Sequence, residues 1–206
     1  MEAIFKDQPS RKLNKGQILI YEGDVVTNIY FLIQGYVKVS SINVNGSPKT
    51  IIIYAPGETF PLVSFLSGQG ITAYSYECMT EVELKVMPHQ LFQKIIKGNL
   101  ELGEQLISYA YQMSLQFAER IEMLSAQNAR HKIAALLNYL AAKTGVVSNS
   151  KTRLSLPLTS QEIADMCGLT RETASVQLQK LKKEGIISGR RYLTIDDRRL
   201  AEVTGG

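Results

Sequence analysis

The sequence has no tryptophan, two cysteines and two histidines among its 206 residues, and this scarcity argues against several kinds of metal and cofactor site. An iron–sulfur cluster needs about four cysteine ligands, which Cys78 and Cys167 cannot supply. Neither cysteine has a histidine at zinc-ligand spacing, and His89 and His131 lie in no recognisable haem-ligand motif. No metal site and no cofactor is therefore evident, with haem held by a histidine or by Cys78 as the alternative, and we interpret both cysteines as reduced structural thiols.

Long apolar runs are also absent. No run approaches the ~20 residues that a membrane-spanning helix needs, and no basic-plus-apolar signal segment opens the chain. A hydrophobic content of 45% over 206 residues suffices for the cores of two modest domains. We expect a soluble, cytoplasmic protein that does not contact membranes.

Residues 11–87 contain no histidine, and this absence bears on catalysis. Cupin-like metal enzymes need clustered histidines and carboxylates, whereas the acids here, such as Glu22, Asp24 and Glu58, lie in turn-like contexts. No pairing of a nucleophile with a base is visible either. We predict that the protein is not an enzyme. The alternative is a cupin-like enzyme domain that the rest of the chain tethers to DNA.

Positive charge is unevenly distributed along the chain. Residues 129–206 hold 13 lysines and arginines against 7 acids, whereas residues 1–128 hold 10 against 12. Lysine and arginine neutralise nucleic-acid phosphates and release counterions, which supplies most of the non-specific affinity for DNA. The basic C-terminal part is therefore the predicted DNA-binding region.

Residues 159–188 predict two short helices joined by a tight turn. Thr159 and Glu162 form a capping box that begins the first helix. Gly168 permits the positive φ of a sharp turn, and Thr170 caps the second helix. One apolar stripe of the second helix faces inward: Ala174, Leu178 and Leu181. An ordinary helical hairpin with a solvated face is the alternative interpretation.

The face opposite that stripe carries side chains suited to DNA. The candidate base-reading residues are Arg171, Glu172, Ser175 and Val176. Arginine pairs bidentately with guanine, glutamate accepts from the cytosine amino group, and valine suits the thymine methyl. Residues 186–195 predict a β-hairpin wing around Gly189, with Arg190 and Arg191 at its tip. The candidate phosphate contacts are Thr159, Thr170, Thr173 and Arg190.

The N-terminal half has the pattern of a β protein. Residues 11–87 alternate short β-branched and aromatic runs with glycine-bearing turns, including one at Gly46, which predicts an all-β barrel or roll. The expected strands are Ile18–Tyr21, Ile29–Ile33, Tyr36–Ser40, Lys49–Tyr54 and Glu81–Met87.

From Asn99 to Ser125 the pattern is helical with almost no interruption. A helix of about 25 residues is about 37 Å long, more than one small roll covers, so its apolar side needs another surface. A hinge near Asn128 is expected, followed by a helix over Arg130–Lys143 and a loop over Gly145–Arg153. The alternatives are a helix packed only on its own domain and a DNA-independent scaffold.

The Arg-Glu-Thr-x-Ser run of Arg171–Ser175, preceded by LTSQEIA and followed by the wing, resembles bacterial transcription regulators of the cyclic-AMP receptor protein and fumarate–nitrate regulator (CRP/FNR) family. The resemblance continues at Lys15-Gly16, Glu22–Asp24, Tyr30–Val39 and Pro56–Glu58. It implies an α+β fold: a β-roll like a cyclic-nucleotide-binding jelly roll over residues 1–98, a long dimerisation helix over 99–128, and a winged helix-turn-helix domain over 129–206.

The resemblance also implies a homodimeric, sequence-specific DNA-binding regulator. In this arrangement the long helices pair across a two-fold axis, and the recognition helices lie about 34 Å apart on a palindromic operator. RNA polymerase is implied as a further partner. The helix residues expected at the pairing surface are Leu106, Tyr109, Met113, Phe117 and Leu124.

The roll is then the effector domain, and this chain preserves only part of the family's pocket. The resemblance places the pocket at Gly57, Glu58, Gly70, Ile71, Phe117 and Ala118. Gly57 and Glu58 match the phosphate-binding cassette, but Gly70 and Ile71 stand where its Arg-Ser pair belongs. A buried phosphodiester without a paired cation is costly, so no response to cyclic AMP in the usual mode is expected. The apolar segment Thr59–Ser75 favours an unknown neutral effector or a filled core, and a constitutively competent regulator is the alternative.

Overall fold

The computed structural model describes residues 1–42, 48–62 and 70–204. Contacts within the chain divide it into two compact units, residues 1–117 and 118–206. The three-part division at residues 98 and 128 remains a prediction. The expected turn at Gly46 and residues 63–69 of the apolar segment lie outside the described residues.

The first unit is built on two antiparallel sheets. Its strands are β1 Ser10–Leu13, β2 Ile18–Ile20, β3 Asn28–Gln34, β4 Val37–Ile42, β5 Pro48–Tyr54, β6 Thr59–Phe60, β7 Ser75–Cys78 and β8 Val82–Pro88. One sheet has the order β1-β8-β3-β6 and the other β2-β7-β4-β5. The predicted roll and its five expected strands are confirmed. The short strands β1, β6 and β7 were not predicted.

The core of the roll lies between the two sheets and contains a cluster of four aromatic side chains among aliphatic ones. Tyr30 and Phe60 come from one sheet, and Tyr54 and Tyr76 come from the other. The ring centroids of Tyr54 and Phe60 are 4.8 Å apart, and those of Phe60 and Tyr76 are 5.7 Å apart. All four side chains are buried. Because aromatic pairs at this spacing add to the stability gained from burial, the cluster holds the two sheets together.

Helices pack against the outer face of the first sheet. In chain order they are α1 Glu2–Phe5, α2 His89–Lys97 and α3 Leu100–Ser125. Phe5, Phe31 and Phe92 form a second buried cluster, which Leu106 of α3 joins. The long helix α3 is confirmed, whereas α2 was not predicted. Among the described residues, no helix has both the length and the apolar character needed to cross a membrane.

The second unit combines helices with a four-stranded antiparallel sheet. After α3 its helices are α4 Ala129–Thr144, α5 Ser160–Cys167, α6 Arg171–Lys183 and α7 Asp197–Thr204, and its strands are β9 Gly145–Ser148, β10 Lys151–Leu154, β11 Ile187–Ser188 and β12 Thr194–Asp196. The strand order is β11-β12-β10-β9. The Asn128 side chain caps α4 by accepting from the His131 amide at 3.0 Å. The predicted break after α3 and the helix that follows it are therefore confirmed.

The predicted loop over residues 145–153 is wrong, because this segment is a β-hairpin. Strands β9 and β10 pair in register, and β10 pairs on its other side with the wing strand β12. Asn149 and Ser150 form the connection with φ of 49° and 58°, the left-handed values of a tight hairpin turn. Thr152 and Leu154 are buried in the alternating pattern of a half-buried strand. Pairing with a distant strand therefore orders a polar segment.

Candidate nucleic-acid interface

The first helix of the motif, α5, begins and ends as its sequence predicts. The Thr159 hydroxyl accepts the Glu162 amide hydrogen at 3.2 Å, and the Glu162 carboxylate accepts the Thr159 amide hydrogen at 2.7 Å. Gly168 follows the last turn with φ of 63°, the left-handed conformation that glycine adopts without strain. The chain therefore turns sharply and starts α6 at Arg171.

The recognition helix α6 has one buried and one exposed face. The Thr170 hydroxyl caps it by accepting the Thr173 amide hydrogen at 3.2 Å. The predicted inward stripe of Ala174, Leu178 and Leu181 is buried. On the opposite side Arg171, Glu172 and Val176 are exposed and Ser175 is half-buried. The four candidate base-reading residues therefore lie on the solvent side of the N-terminal half of α6.

A groove of about 650 Å³ runs between α5, α6 and the β11–β12 wing. We call it the wing groove; its polar lining is Thr159, Ser160, Ser175, Gln179, Lys182, Arg190 and Arg191. Three predicted site residues, Thr159, Ser175 and Arg190, are thus brought together. The groove does not include Arg171, Glu172, Val176, Thr170 or Thr173, which lie at or near the start of α6.

Four polar residues that line the wing groove were not among the predicted contacts: Ser160, Gln179, Lys182 and Arg191. Gln179 lies one helical turn after Ser175, and Lys182 follows on the same side of α6. Arg191 is the neighbour of Arg190 in the wing. The i, i+4 spacing identifies Gln179 from the sequence alone, but the position of Lys182 opposite the wing depends on how the helix packs on the sheet.

The wing turns at a glycine, where any side chain would strain the backbone. Gly189 has φ of 89° and directly precedes Arg190. A Cβ atom at this position would collide with the carbonyl oxygen of Tyr192. Arg190 and Arg191 are exposed, so their guanidinium groups are available to phosphates. The predicted hairpin with arginines at its tip is confirmed.

The threonine hydroxyls differ in what they offer a phosphate. The Thr159 hydroxyl donates to the Glu162 carboxylate at 2.8 Å, so its hydrogen is already committed to the cap. The Thr170 and Thr173 hydroxyl oxygens are 3.0 Å apart and share one hydrogen bond. Whichever of these two donates, the other keeps a free hydroxyl hydrogen at the positive end of α6, where anions bind favourably.

In the roll, the predicted effector residues have structural roles of their own. Gly57 lies in a turn with φ of 91°, and the Glu58 carboxylate accepts the Ala55 amide hydrogen at 2.5 Å. The Gly70 carbonyl accepts the Val26 amide hydrogen at 2.6 Å. Ile71 is 54% exposed and forms a β-bridge with Val25. In α3, Phe117 packs on the aromatic core whereas Ala118 is exposed.

The segment of the roll that corresponds to the family's cyclic-nucleotide pocket carries no arginine. No arginine lies between Lys49 and Lys85 to pair with a buried phosphodiester. The Tyr109 hydroxyl donates to the Thr59 carbonyl at 3.0 Å, and burial raises the pKa of Tyr109 above its ordinary value of 10.0. The Thr59 hydroxyl is buried and has no hydrogen-bond partner among the described residues.

The residues predicted for helix pairing lie mostly on the inner side of α3. Leu106 and Met113 are each 5% exposed and belong to the two buried clusters of the first unit. Tyr109 and Phe117 pack against the aromatic cluster, and Leu124 is half-buried. The outward side of α3 instead exposes large apolar side chains: Leu100, Ile107, Tyr111, Leu115 and Ile121.

Fold and site together define a class: DNA-binding proteins in which the chain of a β-roll continues through a long helix into a winged helix-turn-helix unit. The family model described as "Crp-like helix-turn-helix domain" matches residues 131–202. The family model described as "Cyclic nucleotide-binding domain" matches residues 10–99. The chain belongs to the CRP/FNR family of bacterial transcription regulators.

Individual relatives agree with this assignment. The chain is 28% identical over 179 residues to the HTH-type transcriptional regulator ArcR of Staphylococcus epidermidis, covering 86% of this chain and 77% of that protein. It is 26% identical over 204 residues to the transcriptional activator protein FnrL of Cereibacter sphaeroides, covering 95% of this chain and 80% of that protein. The structure of FixK2 from Bradyrhizobium japonicum has the same fold, with a TM-score of 0.84 at 19% identity over 95% of this chain and 96% of that one.

Proposed function

We propose that the protein is a homodimeric regulator that reads a palindromic operator through α6. The observation that carries this proposal is the exposure of Arg171, Glu172 and Val176 beside the basic wing groove. In helix-turn-helix proteins the N-terminal residues of the second helix contact base edges in the major groove. Arg171 then pairs with guanine, Glu172 accepts from cytosine, and Val176 meets a thymine methyl.

Phosphate contacts surround these base-reading residues. Arg190 extends from the wing, and the free hydroxyl of the Thr170–Thr173 pair sits at the start of α6. Thr159 contributes through its position at the N-terminus of α5, since its hydroxyl hydrogen is held by Glu162. These groups fix the register of α6 on the duplex without reading its sequence.

We assign dimerisation to the exposed side of α3. Ile107, Tyr111 and Leu115 follow one another at spacings of four residues and are between 41% and 71% exposed. A stripe of this kind resembles the seam through which paired helices pack, and monomeric proteins rarely leave such a patch in water. Leu106 and Met113 then fix α3 to the roll from the inside and leave the opposite face free to pair.

The roll is assigned as a signal domain that does not respond to cyclic AMP in the usual mode. The support is chemical: Gly70 and Ile71 bring no cation, and Glu58 is engaged by the Ala55 amide. Any effector is neutral and meets hydroxyl or backbone groups. A regulator that is competent without an effector is the second candidate, favoured by the aromatic packing inside the roll. The protein is expected in the cytoplasm with RNA polymerase as a partner, and no catalytic role is assigned to it.

Selection of bound sequences from a random duplex pool tests this proposal. With purified protein we expect enrichment of a two-fold palindrome containing a G·C pair in each half-site, and equal affinity for that duplex with and without cyclic AMP. Sedimentation of the protein alone should give a dimer. A non-palindromic preference or a monomer that binds with full affinity contradicts the homodimer, and a strong cyclic-AMP dependence contradicts the effector assignment.

A further inference from the structure

Arg120, near the C-terminal end of α3, is the one charged residue that is buried among the described residues. Its side chain is 5% exposed. Charged side chains are almost never fully buried unless their hydrogen-bonding groups are satisfied, because desolvating a guanidinium is costly. The burial of Arg120 therefore needs an explanation in its contacts.

The contacts of Arg120 connect the C-terminal end of α3, which belongs to the second unit, to two other helices of that unit. Its Nη2 donates to the carbonyl oxygen of Met166 in α5 at 2.8 Å, and its Nη1 donates to the sulfur of Met123 in α3 at 3.1 Å. The guanidinium carbon lies 5.6 Å from the ring centroid of Tyr139 in α4, a cation–π distance. Arg120 thus joins the end of α3 to α4 and to the first helix of the DNA-binding motif.

The Met166 carbonyl is a chemically specific partner. It belongs to the last four carbonyls of α5, which have no amide partner within their own helix. A cation at a helix C-terminus is also favoured by the helix dipole. Met166 precedes Gly168 by two residues, and α6 begins at Arg171 just beyond that turn. The bond from Arg120 therefore ends close to the start of the recognition helix.

We propose that Arg120 is a positioning residue for DNA binding, which holds the helix-turn-helix in a single orientation on the end of α3. A shift of α3 against α5 breaks the bond between the Arg120 guanidinium and the Met166 carbonyl and takes this partner away from a carbonyl at the buried end of α5, so intermediate orientations are disfavoured. The effect on operator affinity rests on the proposed DNA-binding mode, whereas the orientation itself does not.

The test uses the full-length protein with three variants. Arg120→Met removes the donors and keeps an unbranched chain in the site, and Arg120→Gln keeps an amide donor without a charge to bury. Arg198→Met, at an exposed position of α7, is the control for loss of one positive charge. Arg120→Gln keeps the test decisive if Arg120→Met does not fold.

Two measurements separate positioning from general stabilisation. The first is the distance between spin labels at the exposed residues Glu122 of α3 and Gln161 of α5, each replaced by cysteine. The protein is diluted with unlabelled chain so that only pairs within one protomer contribute. The native thiols Cys78 and Cys167 are buried, so the labels attach selectively. The second measurement is affinity for the selected duplex, corrected for the folded fraction from thermal unfolding.

We expect one narrow distance in the wild type and in Arg198→Met, and a distribution at least twice as broad in the Arg120 variants. Their operator affinity should fall at least tenfold with an unchanged base preference, against less than threefold for Arg198→Met. Wild-type distances and affinity in a folded Arg120 variant overturn the proposal, even if its melting temperature is lower. If the wild type itself selects no sequence, the proposed function fails, while the distance measurement still shows whether Arg120 fixes the orientation of α5 on the end of α3.

Discussion

Replacing Arg171 by alanine tests the assignment of α6 as the reading helix. Arg171 is exposed, and the structure shows no hydrogen bond from it to another described residue. Alanine is the best helix former, so the cap at Thr170 and the buried face of α6 are retained. We therefore expect the free energy of unfolding to change by less than about 0.5 kcal/mol, the usual range for surface substitutions.

The effect on binding follows from the chemistry of the lost contact. A bidentate arginine–guanine pair contributes about 1–3 kcal/mol of discrimination, which corresponds to a factor of about 5 to 150 per half-site. Since a homodimer uses two half-sites, the loss for a palindrome is about 2–6 kcal/mol. The loss is confined to one base pair of each half-site, so a duplex already altered there should bind wild type and variant nearly equally.

Two arginine variants serve as controls in a competition assay with matched and mismatched duplexes. Arg190→Ala removes a wing cation from the wing groove, so it should weaken all sequences alike and lower the salt slope by about 1 per half-site. Arg198→Ala removes an exposed charge on α7 and should change neither base preference nor affinity by more than a few-fold. An Arg171→Ala protein that keeps the wild-type preference at every position refutes the assignment.

Three further predictions address other parts of the molecule. Tyr111→Glu places a charge on the exposed side of α3 and should convert the dimer to a monomer in sedimentation; an unchanged dimer contradicts the assigned surface. Thr159→Ala removes the hydroxyl of the capping box and should lower the free energy of unfolding by about 1 kcal/mol in denaturant titration, and no loss means that water replaces the cap. Burial raises the pKa of Cys167 from 9.0 to about 12, so the unfolded thiol ionises first and the free energy of unfolding should fall by about 1 kcal/mol per pH unit as the pH rises from 9 towards 12. Cys167→Ala should reduce that slope, and an unchanged slope assigns it to other groups.

The helix-turn-helix was predictable because its signals are local. The capping box of Thr159 and Glu162 and the left-handed turn at Gly168 depend on residues within a few positions of one another. The inward stripe of α6 follows directly from helical periodicity. The same holds for the wing, where Gly189 marks the turn between two short strands.

The β9–β10 hairpin was missed because its order comes from distant contacts. Its turn places Asn149 and Ser150 at positive φ. Glycine is the residue that usually marks such a turn in a sequence, and neither turn position holds one. Its inner strand is held by β12, more than 40 residues further along the chain. The residue pattern within a polar nine-residue segment does not predict that the segment pairs with a strand so far along the chain.

For α3, periodicity identified the apolar side but not its partner. Leu106 and Met113 were expected to face a second protomer, and the structure packs them into the clusters of the first unit. The sequence alone does not distinguish the exposed stripe of Ile107 and Tyr111 from the side of α3 that packs on the roll, and the structure does. The contact of Arg120 with the Met166 carbonyl could not be predicted either, because every residue has a backbone carbonyl and the sequence does not show which one accepts the bond.

We propose that two copies of α6, fixed by a two-fold dimer, read half-sites one helical turn apart. The most direct test measures affinity for the selected palindrome as its half-site spacing is changed in single base pairs. We expect a sharp optimum, with a five-base-pair insertion reducing affinity to that of a single half-site because the second site turns to the opposite face of the duplex. Affinity that is independent of spacing, at a stoichiometry of one chain per half-site, would contradict it.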